Sequence, residues 1–294
     1  VTLNRTIGVI EILLSGIAFG LVGVFGKMAY ALGVTPGELL SLRFLLAAGV
    51  LGLGLGLFRR SSFRVPFKTW GACAALGVLG YAVFASCYFL ALQGISASLT
   101  VLLLYINPAF VAAGAWLLFR EKLSSNNLTA LPVAFTGLLL LVWGELSISS
   151  GVAVGYGIMA AVVYAMYILA SGRWLANVSP YSSALYIQLF AGISLGLIHL
   201  REPARVVEVL SSAWLIIVAI ALISTVLAMV LFLSGLQKLK KAEVSILSMG
   251  EPLTGILAAS LYLGENLTVM QAAGAALILA ALVLSSIEHK SGSH

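Results

Sequence analysis

Apolar residues run through this chain in long unbroken stretches rather than alternating with polar ones. With ends set to within a few residues, the stretches cover 7–32, 36–58, 68–92, 98–119, 127–146, 151–176, 180–200, 211–236, 243–263 and 268–287. Each reaches about 20 residues, the length an α-helix needs to cross the hydrocarbon core of a bilayer. A transmembrane barrel would show segments of about ten residues with alternating polarity, and Leu210 to Leu236 is too long and too uniformly apolar for that. The pattern predicts an all-α integral membrane protein of ten transmembrane helices, with short connections and no soluble domain.

Composition makes lipid the solvent. Hydrophobic residues fill 61% of the 294 positions and charged ones 9%, more apolar surface than a water-soluble domain of this size buries. The first stretch follows Arg5, outlasts the apolar core of a signal peptide and lacks a small-residue cleavage site, so a retained helix is expected. Cys73 and Cys87 share one stretch, too far apart along a helix to bond, and read as packing residues.

The net charge of +6 reads as topology rather than as a nucleic-acid surface, because the basic residues sit in short connections. A cytoplasmic amino terminus puts Arg5, Arg59, Arg60, Arg64, Lys68, Arg120, Lys122, Arg173, Lys238, Lys240, Lys241 and Lys290 on the cytoplasmic side and only Arg201 and Arg205 outside. By the positive-inside rule both termini are expected in the cytoplasm, as an even number of spans allows.

Shifting the chain by 144 residues aligns Pro36 with Pro180, Trp70 with Trp214, Gln93 with Gln237, Pro108 with Pro252 and Glu121 with Glu265, without a gap. Residue types this rare here do not align jointly by accident, so 1–147 and 148–294 read as duplicated five-helix repeats. An odd number of spans per copy makes the second copy enter from the opposite side. Inverted repeats are how many secondary transporters obtain inward-open and outward-open states from one chain.

The pattern now includes Pro36 followed by Leu42-Arg43-Phe44, Asn107-Pro108, Arg120-Glu121, Glu251-Pro252, and Gly264-Glu265 followed by Gly274. In these features, over nearly its whole length, the chain resembles the drug/metabolite transporter superfamily, specifically its ten-helix EamA-type exporters. Where that family often has Trp-Gly in the first span, this chain has Phe19-Gly20. The resemblance implies export of amino acids, aromatic ones included, and of related amphipathic metabolites across a bacterial inner membrane. A small molecule and membrane lipid are the expected partners, with no nucleic acid and no cofactor, and a monomer is expected to suffice.

Asn107 and Glu251 occupy matching places, each followed by proline and each about nine residues, or roughly 14 Å, into its stretch. Ionisable groups at that depth are costly and usually mark a pathway. Glu251 is the first candidate to contact a substrate ammonium group or a coupling proton, the alternative being a buried structural lock. Pro108 and Pro252 are candidate hinges, since each frees a carbonyl in the preceding turn. Tyr81 and Tyr88, with Phe84 between them, share a face, and Tyr105, Tyr164 and Tyr167 sit near mid-depth. Tyrosine hydroxyls there favour a cavity wall over lipid. Gln188, Ser248 and Met249, with Ser245 and Met229, complete the candidate lining. Such a nearly uncharged cavity suits apolar or aromatic substrates better than phosphorylated ones.

Lys27, Glu38 and Arg43 are expected near the outer ends of the first two spans, where a salt bridge pairing the helices is weighed against direct binding of a substrate carboxylate. Gly16, Gly20 and Gly23 form a small-residue stripe suited to close helix contact, and Glu11 is expected to snorkel. A membrane-embedded enzyme is disfavoured because the chain has no Asp, no His-Glu-x-x-His spacing and no glycine-rich phosphate loop. A channel is disfavoured by the lack of a ring of polar residues. An exporter of amphipathic or cationic drugs working by proton exchange stands as the alternative within the same fold.

Overall fold

The computed structural model describes residues 2–58, 63, 65–92, 94–95, 97–121, 125–143, 150–263 and 268–286, and their regular structure is helical. In chain order the helices are α1 (Thr2–Gly20), α2 (Val22–Ala31), α3 (Pro36–Phe58), α4 (Phe67–Ala75), α5 (Val83–Leu92), α6 (Ala97–Leu104), α7 (Asn107–Phe119) and α8 (Ser125–Leu141). There follow α9 (Gly151–Trp174), α10 (Pro180–His199), α11 (Pro203–Ala221), α12 (Ala228–Leu236), α13 (Lys241–Leu247), α14 (Gly250–Leu263) and α15 (Val269–Ser286). Among the described residues, eight helical stretches are long and apolar enough to cross a membrane, and Asn126–Leu141 is a shorter apolar one. The side chain of Lys27, the connection residues Arg59, Arg60, Arg64, Lys122 and Lys290, and the motif residues Gln93, Gly264 and Glu265 lie outside the described residues.

The helix starting at Pro203 begins eight residues before the apolar stretch at 211 does, because Arg205 and Glu208 hide its first turns from a hydropathy reading. Pro203 marks the true start: its missing N–H costs nothing in a first turn.

Interruptions recur at matching places. α4 and α5 are joined by a π-helical turn, Leu76–Ala82, and α11 and α12 by another, Leu222–Leu227. In the second, Thr225 Oγ1 donates to the Ile220 carbonyl five residues back at 2.9 Å. Tyr105 and Ile106 separate α6 from α7, and Ser248 and Met249 separate α13 from α14.

Close backbone approach sets the packing. α8 lies against α15 where Gly137 faces Gly274, and a methyl group on Gly274 would come 2.5 Å from the Gly137 carbonyl oxygen. Asn127 and Ser285 are hydrogen-bonded across the same pair at 2.9 Å. α3 packs along α10, and α1 along α12 and α14. Most buried side chains form one core, while Leu39 and Leu42 join Val209 and Ile217 in a smaller one between α2, α3 and α11. Leu53, Leu57, Trp116, Leu118 and Leu197 are exposed, as lipid-facing positions would be.

The start of α1 meets the end of α15. Arg5 on α1 donates to the Ser286 carbonyl at 2.7 Å and pairs with Glu243 at 2.5 Å. Lys238 holds Glu11 at 2.6 Å, and Lys241 pairs with Glu121. Glu11 therefore does not snorkel: the Lys238 ammonium, arriving from the end of α12, is its partner.

Candidate transport site

Proline dictates the breaks at the centre of the molecule. Pro108 cannot donate to the carbonyl four residues back, that of Leu104, and Asn107 replaces the missing donor with its own side chain, Nδ2 to Leu104 O at 2.9 Å. Asn107 is 1% exposed and its Oδ1 has no partner. In the matching place, the Ser248 carbonyl that Pro252 cannot reach accepts the Glu251 amide at 3.0 Å. Both prolines thus sit in the first turn of the outgoing helix, with the break just before them, rather than kinking a continuous helix.

Glu251 lies where these breaks cross. The Tyr105 hydroxyl, from the α6–α7 break, faces the Glu251 carboxyl. Tyr88, Tyr164, Tyr81 and Arg43 lie within electrostatic range of it. The residue is held from behind by α1: Gly16 faces its amide, and a methyl group on Gly20 would come 2.6 Å from its carbonyl oxygen. Gly23, the third member of the stripe, meets nothing within 4 Å.

The tyrosines form one continuous wall. Phe84 stacks on Tyr164 with ring centroids 4.8 Å apart and lies 5.8 Å from Tyr81 and 6.3 Å from Tyr88. Tyr164 lies parallel to Tyr167 at 6.1 Å, and Tyr167 is tilted against Tyr81 at 5.5 Å. Tyr167 is 2% exposed, and its hydroxyl donates to Met229 Sδ at 3.5 Å. Tyr81 belongs to the π-helical turn, a distortion common at functional sites.

The remaining candidates divide. Ser248 bonds back to the Val244 carbonyl at 2.9 Å, Ser245 to that of Ala242 at 3.3 Å, and Met249 is fully buried. All three pack the break rather than face an opening. Gln188 is fully buried on α10, with both amide atoms unpartnered. Glu38 and Arg43 do not form the expected bridge: Glu38 is taken by Arg205, Nε to Oε1 at 2.9 Å, and by the Thr35 amide at 2.7 Å. Arg43 points inward instead, its guanidinium 4.6 Å from the centre of the Phe44 ring, and Phe44 packs on Tyr81 at 5.2 Å. The sequence reading missed Phe44, although it stands in the Leu42-Arg43-Phe44 motif.

The two ends of the site differ. At the end where Arg5 and Ser286 meet, α13 packs against α7, α8, α9 and α15, and Lys241 pairs with Glu121 while lying 4.8 Å over the Phe119 ring. At the other end α14 packs against α1, α2 and α15, whereas α6 packs against α5 and α9. A separate cleft of about 480 Å³ opens where α4 begins, lined by Pro66, Lys68, Thr69, Trp174, Asn177 and Ser179 among others.

Apolar helices this numerous, two of them interrupted beside a half-buried carboxyl, are those of a multi-pass membrane transporter. The chain belongs to the EamA-like transporter family, which it matches twice, over residues 6–143 and 151–287. It is 29% identical to an uncharacterized transporter of Archaeoglobus fulgidus over 95% of this chain and 96% of that one. It is 25% identical to the uncharacterized inner membrane transporter YicL of Salmonella typhimurium, covering 96% of each. A probable amino-acid metabolite efflux pump of Salmonella typhimurium is 24% identical over 65% of this chain and 68% of its own length. One crystal structure superposes with a TM-score of 0.78 at 19% identity, over 94% of this chain and 95% of that one, which bears on the fold alone. The family and these relatives are named transporters, not enzymes.

Proposed function

We propose that this protein exports neutral and aromatic amino acids, and related small metabolites, by alternating access. The observation that carries the reading is the Glu251 carboxyl at a helix break, with the Tyr105 hydroxyl and the rings of Tyr88 and Tyr164 within electrostatic range of it. A carboxylate in aromatic surroundings attracts an ammonium group, and tyrosine faces receive an apolar side chain. The printed name of the Salmonella efflux pump points to the same substrate class.

In this reading the chain crosses the membrane ten times, with 241–263 as one interrupted span. Residues 1–147 and 148–294 are inverted repeats, and both termini face the cytoplasm of a bacterial cell. α13 against α7 closes the cytoplasmic side. Rocking about the two breaks opens it.

A second reading is favoured by one feature. Glu251 forms no ion pair among the described residues, which leaves its carboxyl free to take a proton in exchange for a cationic or amphipathic compound. Flux of labelled amino acids into proteoliposomes, with and without a pH gradient, decides between them. Amino-acid flux that Glu251→Gln lowers at least about tenfold, with insertion intact, supports the first reading; flux of cations alone, driven by the gradient, replaces it with the second.

A further inference from the structure

We propose that Arg43 is the residue that binds the substrate's carboxylate, so that Arg43 and Glu251 hold the two charges of a zwitterion. The inference rests on the amino-acid reading above and names the recognition that reading lacks.

Arg43 is 8% exposed on α3, in a stretch long and apolar enough to cross the membrane. Its Nε has no hydrogen-bond partner, and among the described residues no carboxylate pairs with it. Glu38, the acid nearest along the chain, is occupied by Arg205 and Thr35. Glu251 acts on Arg43 electrostatically but forms no ion pair with it. An unpaired buried cation is costly in a membrane protein, and such groups persist where a partner arrives during function.

The surroundings say which partner. The Phe44 ring beneath the guanidinium continues through Tyr81 into the tyrosine wall that reaches Glu251, so both charges border one aromatic surface. A planar guanidinium matches a carboxylate in two parallel hydrogen bonds. The matching place in the second half holds Ile187, fully buried, so the duplicated frame does not itself require a cation there.

The test is ligand-induced thermal stabilisation of the purified protein by L-phenylalanine, by 3-phenylpropanoate, which has only the carboxylate, and by L-phenylalaninamide, which has only the amine. Wild type is expected to prefer phenylalanine over its amide by about 10- to 100-fold, the range of a charged hydrogen bond. Arg43→Gln should erase that preference, while Glu251→Gln keeps the response to 3-phenylpropanoate. Without ligand, Arg43→Gln should melt no lower than wild type, because it removes an unpaired charge rather than a bridge. If Arg43→Gln is not recovered folded, Arg43→Lys carries the test, and a several-fold loss of preference is expected because the charge stays but the fork is gone.

Preference for the carboxylate undiminished in Arg43→Gln, or in Arg43→Lys where that variant carries the test, overturns the assignment, as does a lowered melting point with ligand preference unchanged. Wild-type binding of the amide but of neither carboxylate overturns Arg43 and leaves a transporter of amines. Carboxylate binding that Arg43→Gln abolishes, with no amino-acid flux in proteoliposomes, supports Arg43 and removes amino-acid export. Binding of none of the three overturns both.

Discussion

Arg205 reaches Glu38 across 167 positions of sequence, and the same guanidinium donates to the Gly33 carbonyl at 2.6 Å. Gly33 carries φ of 79°, a left-handed conformation that costs glycine little, and it closes the turn between α2 and α3. One side chain of α11 therefore pins that turn. Arg205→Ala is expected to speed amide hydrogen exchange over residues 33–38 while leaving α8 and α15 unchanged. Unaltered exchange in the turn would show that α2 and α3 hold it unaided.

Space behind Glu251 is the second point of test. Gly20→Ala drives a methyl group into the Glu251 carbonyl and the Thr254 side chain, whereas Gly23→Ala meets nothing within 4 Å. The first should destabilise by about 1–3 kcal/mol, the usual range for overpacking, and lower transport; the second should do neither. Equal melting temperatures for the two variants would mean that α1 yields where it meets α14.

Asn107 separates a structural from a binding role. Asn107→Leu leaves the Leu104 carbonyl unpaired, at a cost of about 1–3 kcal/mol for a buried group. Substrate affinity in the folded fraction should change little. Pro108→Ala restores the missing donor and should slow turnover more than it weakens binding, as should Pro252→Ala. A loss of affinity alone in the proline variants would count against the breaks as hinges.

Lys241, Glu121 and Phe119 join α13 to the end of α7. Glu121→Gln is expected to open that end, so a cysteine placed at Ser248 should react several-fold faster with an impermeant thiol reagent applied from the cytoplasmic side. An unchanged rate would assign the closure to apolar packing.

Much of this was legible in the sequence because lipid imposes a length. The stretches at 36–58, 151–176 and 180–200 end within two residues of α3, α9 and α10. Hydropathy does not register the π-helical turns, since residues 76–82 and 222–227 are as apolar as their neighbours. The alignment of Glu251 with Asn107, each followed by proline, could be counted along the chain. Partnership could not be counted: Glu38 is five residues from Arg43, yet its partner comes from α11, and Glu11 is held by Lys238 from the turn after α12. Long side chains choose among neighbours that only the packed structure supplies.

The tyrosine wall is built mainly from one side of the duplication. Shifted by 144 residues, Arg43 falls on Ile187, Tyr81 on Thr225, Phe84 on Ala228 and Tyr105 on Met249, while Tyr164 falls on Gly20 and Glu251 on Asn107. Recognition by this wall, as proposed above, would therefore sit to one side of any axis relating the halves. A carrier with two like halves would bind its cargo equally well from either face; this one is expected to have different half-saturation concentrations in the two directions, a kinetic polarity written into the chain before any gradient is applied.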